Sequence, residues 1–167
     1  MIVDPGDEAK RIKKFIEDQE LHPVAILLTH GHFDHVMAVD SVRAAYHIPV
    51  YAAEAEKETM QDASINLSIN MGGAMLSVEA DHWLKDGETI TLLDQEVRCI
   101  LTPGHTVGGM CFYFPKAGML FPEIHFSRNR SAGLIFREEV CQKSCGRSVK
   151  NYLFFRMPCR CIRGMDL

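Results

Sequence analysis

No apolar run in this 167-residue chain approaches the roughly 20 residues of a bilayer span, so no transmembrane helix is expected. The opening MIVDPGDEAK lacks a basic segment followed by an apolar stretch, so a secretory leader is not expected either. A cytoplasmic protein with reduced thiols is the resulting expectation. There is no glycine-rich phosphate loop and no Ser-His-Asp order, which sets aside a nucleotide cradle and a serine triad. Internal repeats and low-complexity tracts are also missing, which excludes a solenoid or a disordered linker. What remains has 47% apolar and 24% charged residues, the balance of an ordinary globular domain.

The net charge of −4 conceals an asymmetry. Residues 1–121 carry 9 Lys+Arg and 18 Asp+Glu, whereas residues 122–167 carry 9 and 4. Four of the six cysteines, Cys141, Cys145, Cys159 and Cys161, also fall in the second stretch. Two regions are therefore expected, a folded domain over 1–121 and an aberrant tail over 122–167.

Within the first region the pattern alternates between strand and helix. MIVDPG reads as the end of a buried strand followed by a turn. Residues 7–20 place Ala9, Ile12, Phe15 and Ile16 at helical spacing, with Asp7 as the cap. HPVAILLTH reads as a short strand buried on both faces, VMAVDSVRAAY as a helix and IPVYAA as the next strand. Mixed helix and loop follow over 54–75. Two strands joined at LDQE and two more joined at PKAG complete the region. This order predicts sheets with helices packed on them. Met37, Met60, Met71 and Met75 are expected mostly in the core, and Trp83 with Leu84 likewise. Cys99 and Cys111 read as buried small hydrophobes, and His22, His47 and His82 as structural or exposed.

Chemistry concentrates in LTHGHFDH. His30, His32, Asp34 and His35 are four potential metal ligands within six residues, directly after a buried strand. Gly31 lets the backbone turn between the first two histidines, so both can point to one side. Imidazole and carboxylate suit Zn²⁺, Fe or Mn. An ion held by three protein ligands lowers the pKa of its water to about 7. Two ions roughly 3.5–4 Å apart can share a hydroxide and polarise a substrate oxygen. Asp34 would then be both a ligand and the catalytic residue that orients the hydroxide. A second loop, TPGHTVGG, offers His105 straight after a strand.

On these motifs the chain resembles the metallo-β-lactamase fold hydrolases, and more narrowly their small glyoxalase II-like (hydroxyacylglutathione hydrolase-like) members. THGHFDH matches the family's HxHxDH signature, TPGHTVGG its second histidine motif, and VDPG, with Asp4, its first motif. The resemblance covers residues 1–121. It implies an α+β fold, the αββα sandwich, with His30, His32 and His105 on one metal, Asp34 and His35 on the other, and Asp4 bracing the site from behind. It implies up to two zinc ions, with iron or manganese as alternatives, and hydrolysis of a thioester or ester such as an acylglutathione by a metal-bound hydroxide. An iron-dependent persulfide dioxygenase-like activity, and a defective fragment with weak metal binding, are the competing expectations. Small-molecule substrates, and neither nucleic acid nor membrane, are the expected partners. Oligomeric state is left open.

The family pattern breaks after Phe121. A bridging Asp in GDTLF and a last His in PGHG are implied, and neither string occurs; a strand pair before VDPG is likewise implied by the resemblance, and is not expected within these 167 residues. Reading the last base of each codon with the first two of the next, from Pro122 onward, permits GDTLF, then two residues, then SVGRTDFPGG. Near the end, RCIRGMDL permits VYPGHGP, with the Gly after the His forced by Met165 and Asp166. One base lost around codon 121 is therefore expected. On that reading the cysteine spacing of the tail is an out-of-frame product rather than a zinc site. Glu123 and His125 lie where the missing Asp should be and are the candidates for a substitute ligand.

Overall fold

The computed structural model describes residues 1–123. The expectations for the tail cysteines and His125 lie outside the described residues. Among the described residues, eight strands form two four-stranded sheets. The first runs in the order β1 (Ile2–Val3), β2 (Ile26–Leu27), β3 (Val50–Ala53) and β4 (His82–Leu84), all parallel. The second is an antiparallel meander of β5 (Thr89–Leu92), β6 (Gln95–Leu101), β7 (Met110–Phe114) and β8 (Met119–Phe121).

The side-chain alternation of β2 and its flanks divides the core. Ile26 and Leu28 face the helices, where they meet Ile12 and Ile16 of α1 (Ala9–Asp18) and Val39 and Val42 of α3 (Val39–Tyr46). Ala25 and Leu27 face the other way and meet Val97, Cys99, Phe112 and Phe114 of the second sheet. A strand covered on both faces has no polar side to present, which explains why AILL is uniformly apolar. In β7, Met110, Phe112 and Phe114 join this inter-sheet core, while Cys111 and Tyr113 lie on the opposite face of the sheet, where Cys111 is buried with Leu120. Helix, sheet and sheet layers are thus built as the α+β sandwich reading requires. No helix among the described residues is long and apolar enough to cross a membrane.

Several local expectations need correction. Asp7 does not cap α1. Its Oδ1 accepts the N–H of Glu8 (2.6 Å), and Glu8 holds the cap position with φ 54° and no side-chain cap bond. Phe15 is 48% exposed, because the two sheet-facing turns of α1 are filled by Ile12 and Ile16. Only Met60 of the four methionines is fully buried; Met37 is at the surface, and Met71 and Met75 are 62% and 82% exposed. Met71 lies on the exposed side of the π-helical turn Ser68–Gly72, next to the exposed Ile69, and Met75 follows that turn. Strand β4 is not expected from the sequence, because HWL shows no apolar alternation, yet Tyr51, Ala52 and Ala53 pair with it in parallel register.

Candidate metal centre

Parallel strands leave their C-terminal ends on one edge, and in open α/β sheets such edges gather ligand-binding loops. Here the loop after β2 carries His30, His32, Asp34 and His35, and α2 (Phe33–Val36) begins directly after His32. The loop between β6 and β7 carries His105. A backbone bond from Met110 N–H to Thr29 C=O (2.8 Å) ties the two sheets together at this edge.

The three imidazoles converge from these two loops. One ring nitrogen from each of His30, His32 and His105 lies within 4.8 Å of the other two. Ring centroids are 5.0 Å apart for His30 and His32, 5.1 Å for His30 and His105, and 4.5 Å for His32 and His105. His32 Nδ1 faces His105 Nε2 at 2.8 Å, so a proton or a cation must lie between two nitrogens that would otherwise oppose lone pairs. Nitrogen ligands on a tetrahedral ion with bonds near 2.0–2.1 Å stand about 3.3 Å apart, so a small ring movement admits one. The donor set therefore fits a borderline divalent cation. His30 is buried, His32 half-buried and His105 exposed, which leaves the site open on the His105 side.

Asp4 fixes which nitrogens are available. Its backbone has φ 46°, a left-handed geometry Asp tolerates better than most residues, and this turns the carboxylate back toward β2. Oδ1 accepts the N–H of Thr29 (2.7 Å), and Oδ2 accepts the Thr29 hydroxyl (2.6 Å). The hydroxyl has only one proton, so the 3.2 Å contact between Thr29 Oγ1 and His30 Nδ1 is donated by His30. Oδ2 also faces His35 Nδ1 at 3.0 Å, and a carboxylate can only accept. Both rings are thereby held as Nδ1–H tautomers, with Nε2 as the basic nitrogen. Thr29 thus links Asp4 to His30, a role with no local sequence signal.

The other two sequence-derived ligands sit beside this group. The His35 ring lies 3.9 Å from that of His30, and its Nε2 is 3.8 Å from Asp34 Oδ2. Asp34 and His35 thus offer two donors at a second position, while only His30, His32 and His105 form a three-donor group among the described residues. Glu123 reaches the same neighbourhood. Its carboxylate lies against Gly109, and Oε1 is buried without a hydrogen-bond partner. Burial, then the charges of Glu56 and Asp4, push its pKa up to about 7 against the opposing charge of His35. No thiol competes as a nucleophile among the described residues. Burial pushes Cys99 up to about 12 and raises Cys111.

Known proteins share this arrangement of chain. The chain is 37% identical over 121 residues to a probable metallo-hydrolase, YqgX, of Bacillus subtilis, covering 72% of this chain and 57% of that one. It is 33% identical over 119 residues to a hydroxyacylglutathione hydrolase of Bdellovibrio bacteriovorus, covering 71% and 40%. Among solved structures, the BLEG-1 B3 metallo-β-lactamase superposes with a TM-score of 0.69 at 35% identity, covering 75% of this chain and 62% of that one. The chain spans about half the length of the curated relatives it matches. The metallo-beta-lactamase superfamily profile matches residues 1–122, a span that contains all eight strands and both histidine loops. The chain belongs to the metallo-β-lactamase superfamily.

Proposed function

We propose that the chain is a metal-dependent hydrolase acting on a small thioester or ester, with an acylglutathione as the first substrate to test. The observation that carries this reading is the meeting of His30, His32 and His105, from two loops, around one point. These three residues would hold the first ion, and Asp34 and His35 would contribute to a second. A bound zinc ion supplies a Lewis acid that lowers the pKa of water and polarises a carbonyl oxygen; iron or manganese could replace it. The chain's own contribution is positional. Asp4 and Thr29 hold the His30 and His35 rings in the ligand tautomer. Asp34, half-buried in the first turn of α2, accepts a hydrogen bond from the attacking water and aligns it.

A second reading is favoured by the donor count. If the pair that the described residues bring to the second position, Asp34 and His35, gains no third donor, one ion binds and turnover falls far below that of a two-metal enzyme. We connect this with a base lost near codon 121, which would replace the bridging Asp by the sequence now read from Pro122. Sequencing the DNA across that codon tests this directly; a frame that does not yield GDTLF after one restored base refutes it. The functional reading is tested by loading purified protein with Zn²⁺, Mn²⁺ or Fe²⁺ and offering an acylglutathione, a β-lactam and a glutathione persulfide. Metal-dependent thioester cleavage is expected. Persulfide oxidation with iron alone would move the assignment to oxygen chemistry, and lactam cleavage alone would change the substrate class.

A further inference from the structure

We infer that Glu56 is a positioning residue that clamps the two histidine loops together and so sets the geometry of the metal centre; this rests on the metal reading of His30, His32 and His105. Glu56 follows β3 in a 3₁₀ turn, Glu54–Glu56, yet it is only 1% exposed. Its two carboxylate oxygens go to different loops. Oε2 accepts the N–H of Gly31, the residue between His30 and His32, at 2.8 Å. Oε1 accepts the N–H of Gly108, three residues after His105, at 2.7 Å. One side chain thus bridges segments 25 and 52 residues away in sequence.

The two glycines show how closely the loops are drawn in. A Cβ on Gly31 would lie 2.6 Å from Met60 Cγ and 3.1 Å from Glu56 Oε2. A Cβ on Gly108 would lie 2.6 Å from the backbone nitrogen of Glu56 and 2.7 Å from the carbonyl carbon of Ala55. A side chain at Gly108 would push its loop off the backbone of the 54–56 turn, and one at Gly31 would press on Met60 and the Glu56 carboxylate. The ring contact between His32 and His105 depends on both loops being held at this spacing. A carboxylate suits the task because it accepts at both ends, while an amide accepts at one end and presents N–H to N–H at the other. A buried carboxylate next to the ligand loops also adds a fixed negative charge that favours a bound cation.

The test uses the full chain, with Glu56→Gln compared with Glu58→Gln, an exposed neighbour in the same charge run. Three quantities are read: the thermal melt, amide hydrogen exchange at Gly31 and Gly108 in metal-free protein, and the dissociation constant for Co²⁺ followed by its visible absorption. For Glu56→Gln we expect a folded protein in which at least one of the two glycine amides exchanges ten or more times faster. Cobalt affinity should fall roughly 10–100-fold, the range for residues that orient ligands, with an altered absorption band. Glu58→Gln should match the parent in all three. Unchanged glycine exchange, or faster exchange with cobalt binding intact, overturns the clamp. If Glu56→Gln does not fold, Gly108→Ala probes the same contact from the other loop. If both fail to fold, the contact serves the fold alone and the positioning role is overturned. A parent protein that takes up no cobalt would instead sink the metal reading itself.

Discussion

The two sides of the candidate metal centre are built differently although they share one brace. On one side, three imidazoles from two loops converge on a point. On the other, Asp34 and His35 come from adjacent positions on one short helix and stand 3.8 Å apart. Asp4 serves both sides, through Thr29 to His30 and directly to His35. The lesson is that a three-ligand site needs long-range closure, here the β6–β7 loop folding back to β2. A two-ligand pair can arise locally and remains incomplete without a further donor.

Mutations should separate the sides. The largest effect is expected for His105→Ala, which removes the only donor of the triad contributed by the second loop. Metal affinity should fall more than ~100-fold, beyond what loss of an orienting partner costs. The melting temperature should hardly move, because His105 is exposed. Isothermal titration with Zn²⁺ and a thermal melt check both halves. Next comes Asp4→Ala, which strips hydrogen bonds from Thr29 and His35 together. It should cost about 1–3 kcal/mol in denaturant unfolding and lower metal affinity ~10–100-fold. Damage confined to one side would show that Asp4 does not join them. Asp34→Ala should leave the first ion in place within a few-fold while reducing turnover and any second equivalent, measured by metal analysis after gel filtration.

The smallest effect concerns pH. Glu123 has its pKa raised to about 7, chiefly by burial, from the ordinary 4.5. The folded state then holds a proton that the unfolded state has released, so stability is full below about 4.5 and declines as pH rises through about 7. In metal-free protein, Glu123→Gln should flatten this part of the curve in urea midpoints taken across that range. An identical curve would show that Glu123 is not buried as described.

Much of this was legible in the sequence because its causes are local. The apolar run around Ile26 and Leu27 announced a doubly covered strand, and ligand residues clustered within six positions announced a site. The structure brings together the histidines read from the two motifs. What escaped had partners far away. Glu56 sits in EAEKE, in the stretch read only as mixed helix and loop; its partners are backbone amides of distant glycines, which carry no sequence signature. Thr29 looks like the polar end of a strand until Asp4 and His30 flank it. Met71 and Met75 are exposed although methionine is apolar, because the π-helical turn that sets their position leaves no periodic trace in the sequence.

X-ray absorption at the zinc edge, on protein loaded with one equivalent, asks the central question most directly. Three imidazole nitrogens at about 2.0–2.1 Å are predicted, falling to two in His105→Ala. A zinc environment without imidazole scattering, or one that His105→Ala leaves unchanged, would contradict the account.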